Sequence, residues 1–178
     1  ELAHEMEGLQ FVVPEIEEGI GVKQNQAHAF TVWEHNLRSV QHSAEKGGSL
    51  EIRLSALFHD IAKPATSRWS DEKKDWSFHG HDVVGGRMTK KILERLKFPK
   101  KQAEKIVKLV RWHLFFSDPD QITLSAVRRM VKNVGEENIW HLMDVRESDR
   151  IGMGRPKANP YRLRKYRSMI EEALRDPV

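Results

Sequence analysis

An adjacent histidine and aspartate, His59 and Asp60, close an apolar run that begins at Leu54. Burying a neutral imidazole and a carboxylate among apolar side chains costs free energy unless both groups find partners. A metal ion can satisfy both at once, and a capped, hydrogen-bonded histidine is the alternative. Lys63 follows just before Pro64, a residue expected to stop the helix, and would hold a positive charge at the mouth of such a site.

Two residues elsewhere could complete a metal site with this pair. His35 and Asp149 lie near the inward sides of two other predicted helices. Two histidines and two carboxylates suit Mn, Mg, Fe, Co or Ni, with positions left for water and substrate. The chain has no cysteine, so disulfides and thiolate metal sites are excluded. Taken alone, each of these residues could also be a buried side chain with an ordinary hydrogen bond.

Helices must position these residues, because apolar side chains recur at three- and four-residue intervals along most of the chain. The pattern predicts helices over residues 27–46, 49–63, 80–96, 100–115, 124–131, 136–151 and 161–174. Ser49 can cap the second of them. His81 and His113 fall on the inward stripes of the third and fourth.

The remaining segments carry no helical period. Residues 1–24 predict an ordered arm on a helical core of residues 25–178, and residues 65–79 predict a loop or short hairpin beside the site. Loops next to a site often gate it. The predicted class is all-α, with one domain over residues 1–178.

Composition limits the classes of function. The mean hydropathy is −0.62 and no apolar run approaches the length of a membrane span, which predicts a cytoplasmic protein without a membrane partner. The net charge is +4, with basic residues concentrated in 97–111 and 162–167. Such clusters fit a polyanionic partner such as RNA, and they also fit ordinary solvated helix faces.

The order of the polar residues resembles a known family. Glu34-His35, Phe58-His59-Asp60-Ile61-Ala62-Lys63-Pro64, Gly80-His81, Arg111-Trp112-His113 and Ser148-Asp149-Arg150 are similar to the motifs of the HD-domain metal-dependent phosphohydrolases. More narrowly, they resemble the HD domain of bacterial tRNA nucleotidyltransferase and poly(A) polymerase-like proteins. The likeness runs from about residue 14 to residue 174.

This resemblance implies an all-helical bundle of about six to eight helices. It implies a divalent metal on His35, His59, Asp60 and Asp149, and a second metal or a phosphate held by His81 and His113. The Gly-Ser and paired-aspartate signature of the nucleotidyl-transfer head does not occur in this sequence, so nucleotide addition is not expected. The chain is expected to be an excised domain or a free-standing HD protein.

Two functions remain open at this point. One is metal-dependent hydrolysis of a phosphomonoester or phosphodiester, on a phosphorylated small molecule or an RNA end, with Asp60 and Lys63 as catalytic residues. Arg129 and Arg150 are weaker phosphate-binding candidates, and His28 and His79 are expected to support the site or lie at the surface. The other function is an RNA-binding module in which basic helices contact backbone phosphates.

Overall fold

A computed structural model describes residues 2–115, 120–155 and 160–175. The regular secondary structure in these ranges is helical except for one two-stranded hairpin, which confirms the all-α prediction. The helices are α1 (Leu2–Glu5), α2 (Leu9–Val12), α3 (Pro14–Glu17), α4 (Val32–Glu45), α5 (Leu50–Phe58), α6 (Lys63–Thr66), α7 (His81–Arg95), α8 (Lys100–Trp112), α9 (Leu124–Val134), α10 (Ile139–Gly152) and α11 (Tyr161–Arg175). A 3-10 turn at His113–Phe115 follows α8. Seven helices in the described ranges have nine or more residues, within the expected six to eight.

Two predicted helix boundaries differ from the structure by five residues each. The helix expected from residue 27 begins at Val32, because Thr31 forms a capping box with Glu34. The helix expected to run to Pro64 ends at Phe58, although Ser49 caps its start as predicted. Pro64 lies in the first turn of α6, where a missing backbone N–H costs nothing. His59 is therefore at the C-terminus of α5, where the helix dipole favours a cation.

Two apolar clusters hold the bundle together. In one, Leu109 of α8 and Leu142 of α10 pack with side chains of α9 and α11, including Tyr166. In the other, Phe58 and Ile92 join α5 to α7 and α8. Burial of these side chains supplies the main stabilisation of the helices that carry the polar centre.

The N-terminal arm packs on the second cluster through buried Val13 and Ile16. This agrees with the ordered arm expected from the sequence, although its three one-turn helices were not predicted. The segment between α6 and α7 forms the predicted hairpin, with strands β1 (Arg68–Ser70) and β2 (Asp75–Ser77) paired antiparallel. The single-domain assignment stays a prediction.

A glycine allows α10 to approach α4 closely in the bundle core. A Cβ placed on Gly152 of α10 would overlap the Ser39 hydroxyl and lie 2.8 Å from the His35 carbonyl oxygen. Any side chain at this position would therefore push α10 away from α4. This contact keeps Asp149 within reach of His35, which is the first requirement of the site.

Candidate metal centre

Four buried side chains from α4, the end of α5 and α10 converge on one point. His35 Nε2 lies 2.9 Å from His59 Nε2, 3.1 Å from Asp60 Oδ2 and 3.2 Å from Asp149 Oδ1. His59 Nε2 lies 3.3 Å and 3.4 Å from the same two carboxylate oxygens. Ligands at right angles around an ion with bonds near 2.1 Å are about 3.0 Å apart. The spacing of these four atoms therefore fits a shared divalent ion.

Two more histidines face the other oxygen of the same aspartate. His81 Nε2 is 3.1 Å and His113 Nε2 is 3.6 Å from Asp60 Oδ1. Both rings are buried, and neither Nε2 has a hydrogen-bond partner within the described part of the chain. Asp60 thus lies between two groups of donors, each of which could hold a metal ion.

Backbone carbonyls fix the orientation of three of the imidazoles. The Nδ1 atoms of His59, His81 and His113 lie 2.7, 2.6 and 2.6 Å from the carbonyl oxygens of Ala56, Phe78 and Val110. A carbonyl oxygen only accepts, so Nδ1 of each ring carries the proton and donates it. Nε2 is then left to face the centre, which is the arrangement metal-binding histidines commonly adopt.

Two cations balance the carboxylates. Lys63 Nζ lies 2.6 Å from Asp60 Oδ2 and donates to Gln24 Oε1 at the same distance. Arg146 pairs with Asp149 one helical turn away on α10. Lys63 is only 5% exposed, so it is a buried part of the centre and not a solvated surface lysine.

Burial and the neighbouring charges also determine which side chains of the centre are protonated. Burial opposes charge on His59, but the carboxylates of Asp60 and Asp149 outweigh it and raise the pKa of His59 to about 10. Burial works against ionisation of Asp60 as well, yet His59 and Lys63 hold the pKa of that carboxyl well below its ordinary value. For His113 burial dominates and lowers the pKa, which favours the neutral ring. A proton and a metal ion would therefore compete for Nε2 of His59.

This competition gives a pH prediction. We expect binding of Mn²⁺ to release protons, because His59 must lose one before Nε2 can coordinate. Since its pKa is about 10, apparent affinity should rise with pH from neutral towards 10, about tenfold per pH unit for each proton released. Calorimetric titrations in buffers of different ionisation enthalpy measure the number of protons. An affinity independent of pH from 6 to 9, with no proton release, would contradict this charge arrangement.

The centre opens into a cleft of about 590 Å³, a size typical of small-ligand sites. Asp60, Lys63, His81, His113 and Asp149 all line it, whereas His35 and His59 are fully buried behind them. The second strand of the hairpin forms part of the rim. Substrate could thus reach the carboxylates and Lys63 from solvent, while two of the histidines remain protected from it.

The weaker candidates for phosphate binding and for support of the site do not line the cleft in the way that Asp60 and Lys63 do. Arg129 is exposed on α9, and neither it nor Arg150 is among the described residues that line the cleft. The arginine that lines the cleft is Arg146. Sequence reasoning missed Arg146, although its position one turn before Asp149 was a usable signal. His79 is exposed at the rim of the cleft.

His28 lies closer to the centre than expected. It precedes α4, and one of its ring nitrogens is within 4.8 Å of donor atoms on His35, Asp60 and Asp149. The contacts of His59 at 2.9–3.4 Å are shorter, so His59 fits the donor set better. Burial and the ammonium of Lys63 lower the pKa of His28 to about 3, so its imidazole is neutral at physiological pH.

The structure thus has an all-helical bundle with a buried centre of histidines and aspartates whose spacing could hold a metal ion. Residues 32–154 match the family model described as HD domain, and the chain belongs to that family. The donor residues His35, His59, Asp60 and Asp149 all fall within the matched range.

The chain is similar over part of its length to two tRNA nucleotidyltransferases and to a multifunctional CCA protein. The chain is 33% identical to a CC-adding tRNA nucleotidyltransferase of Thermus thermophilus over 74% of its length and 35% of that protein. It is 34% identical to an A-adding tRNA nucleotidyltransferase of Deinococcus radiodurans over 60% of its length and 25% of that protein. A multifunctional CCA protein of Neisseria meningitidis is 31% identical over 74% of the chain and 31% of its own length. The chain thus spans about a third of the relatives it matches.

No helix in the described ranges is both long and apolar enough to cross a membrane.

Proposed function

We propose that this chain is a metal-dependent phosphohydrolase that acts on phosphate esters. The convergence of His35, His59, Asp60 and Asp149 at 2.9–3.4 Å carries the proposal. These four residues would hold a divalent ion, and His81 and His113 would hold a second ion or contact the phosphate from the Oδ1 side of Asp60. When bound, such an ion supplies Lewis acidity and a nucleophilic water at neutral pH.

Other residues of the cleft could assist hydrolysis by stabilising negative charge and by accepting a proton. The reaction adds water across a P–O ester bond: the water oxygen goes to phosphorus and a proton ends on the leaving alcohol. Lys63 and Arg146 present positive charge to the cleft and would stabilise the phosphoryl oxygens as negative charge builds up. When no second ion is bound, the unprotonated Nε2 of the neutral His113 ring could accept a proton from water.

A specific surface favours a second candidate, an RNA-binding module. A groove of about 860 Å³ between α7 and α8 is lined by five basic side chains and only two carboxylates. The basic residues are Lys90, Lys97, Lys100, Lys108 and Arg111, with the aromatic rings of Phe98 and Trp112 beside them. Basic grooves with aromatic rings suit single-stranded nucleic acid, because charge follows the backbone and rings stack on bases.

Activity and binding assays separate these two functions. After elemental analysis, the protein is tested with Mn, Mg, Co and Ni against phosphomonoesters, 2′,3′-cyclic nucleotides and RNA that ends in a phosphate. Metal-dependent turnover that EDTA removes supports the phosphohydrolase. No turnover with any metal, together with RNA binding that weakens steeply with salt, would favour the RNA-binding module. Nucleotide addition, the activity in the names of the Thermus thermophilus and Deinococcus radiodurans relatives, is not proposed for this chain.

A further inference from the structure

We propose that Trp76 stacks on a nucleobase of the substrate, so that the cleft selects nucleotides or RNA ends over phosphate esters that lack a base. This inference rests on the proposed phosphohydrolase function, because it assigns the substrate class of the same cleft. Trp76 lines that cleft together with Asp60 and Lys63. The indole is therefore on the wall of the space that the phosphate would enter.

The indole of Trp76 is partly exposed on the cleft wall and is held there by a neighbouring ring. Trp76 on β2 and its cross-strand partner Trp69 on β1 are 37% and 50% exposed. Their rings meet edge to face, with centroids 5.5 Å apart. A cross-strand aromatic pair stabilises a hairpin, and this contact holds the Trp76 ring in one orientation. A ring held this way can stack on a base at little cost in conformational entropy.

Contacts on both sides of the hairpin fix Trp76 relative to the phosphate end of the cleft. Asp75 Oδ2 accepts a hydrogen bond from the backbone N–H of Gln26, 3.1 Å away. That loop also carries Gln24, the partner of Lys63. On the other side, β2 leads into Phe78, whose carbonyl oxygen accepts the Nδ1–H of His81. The tryptophan is thus tied to Lys63 and to His81 through short segments.

The volume of the cleft and its aromatic wall suit a ligand of nucleotide size. About 590 Å³ is larger than a phosphate group requires and is in the usual range for ligands of nucleotide size. Every nucleobase has a π face, so stacking on one indole favours a base without choosing among the four. The expected specificity is therefore for nucleotides as a class.

Adenosine 5′-monophosphate and ribose 5-phosphate test the inference, because they share sugar and phosphate and differ in the base. Their dissociation constants are measured by calorimetry in EDTA, where no metal-dependent turnover occurs. We expect the wild-type protein to bind the nucleotide roughly five- to a hundredfold more tightly, the range for one base–aromatic stack. Trp76→Leu should bring the ratio close to one, and Trp76→Phe should retain most of it. Amide hydrogen exchange of the paired β1 and β2 backbone reports whether the hairpin persists in each variant.

The outcomes distinguish this inference from the proposed function. Equal affinity of the wild type for the two compounds, or an equal loss of both in Trp76→Leu, would overturn the inference and leave Trp76 as a hairpin residue. Nucleotide preference without hydrolysis under any metal would retain the base site and refute the phosphohydrolase. Where hydrolysis occurs, the ratio of kcat/KM for the two compounds should follow the same order among the variants.

Discussion

Asp60→Ala is expected to abolish metal-dependent hydrolysis, with kcat/KM falling by at least about a thousandfold. Asp60 has the largest expected effect because each of its oxygens faces a different group of donors. Oδ2 faces His35 and His59, and Oδ1 faces His81 and His113. Removing the side chain would therefore disrupt both groups, and bound metal should fall with activity in an elemental analysis.

The same change should also lower stability. Without Asp60, the buried Lys63 ammonium and the His59 imidazole lose their nearest negative charge. Breaking a buried ion pair on one side costs about 3–5 kcal/mol, measurable as a lower free energy of unfolding in urea. Asp60→Asn keeps the shape, so it tests activity if the alanine variant unfolds.

A matched control exists on α10. Asp144 is half-buried near Glu147 and His42 and lies outside the cleft. Asp144→Asn should retain metal and turnover. Full hydrolysis and normal metal content in Asp60→Asn would refute the assignment of Asp60 as the central ligand.

Lys63→Met should lower kcat/KM by roughly ten- to a thousandfold while metal content stays unchanged, since a preorganised charge near the phosphoryl oxygens acts mainly in the transition state. Methionine keeps most of the buried stem and removes the ammonium beside Asp60. The loss should appear chiefly in kcat, measured with saturating metal. Lys74→Met is the control, because Lys74 is 76% exposed at the hairpin tip and does not line the cleft.

Two results would speak against this role of Lys63. Loss of bound metal in Lys63→Met would mean that the lysine mainly holds the Asp60 carboxylate in place. Unchanged kinetics would mean that its charge does not reach the phosphate, and would strengthen the RNA-binding alternative.

The polar centre was more predictable from sequence than its surroundings. His59 closes an apolar run and Asp149 lies on an apolar helical face, so the sequence pattern predicts that both point inward. His35 is different, because the buried face of α4 that carries it also holds Asn36 and Ser39, which apolar periodicity does not predict. Their convergence, by contrast, depends on the angle between α4 and α10, which the close contact at Gly152 permits. One sequence does not encode that angle in any local pattern.

The residues that the sequence did not place correctly fall into three groups. Gln24 and His28 come from the loop before α4, although His28 was predicted to be helical, and no local pattern placed either residue beside Lys63. Arg129 and Arg150 were chosen for charge alone, while Arg146 reaches the cleft because it shares a helix face with Asp149. Pro64 was interpreted as a helix stop, but proline is equally suited to the first turn of a new helix.

The central claim is that His35, His59, Asp60 and Asp149 hold one divalent ion, and anomalous diffraction from crystals soaked in Mn²⁺ tests it most directly. We predict a strong peak with His35 Nε2, His59 Nε2, Asp60 Oδ2 and Asp149 Oδ1 at about 2.0–2.3 Å. A second ion would give a peak beside Asp60 Oδ1, His81 and His113. Anomalous density only elsewhere on the protein, with these four side chains still in mutual contact, would contradict the claim.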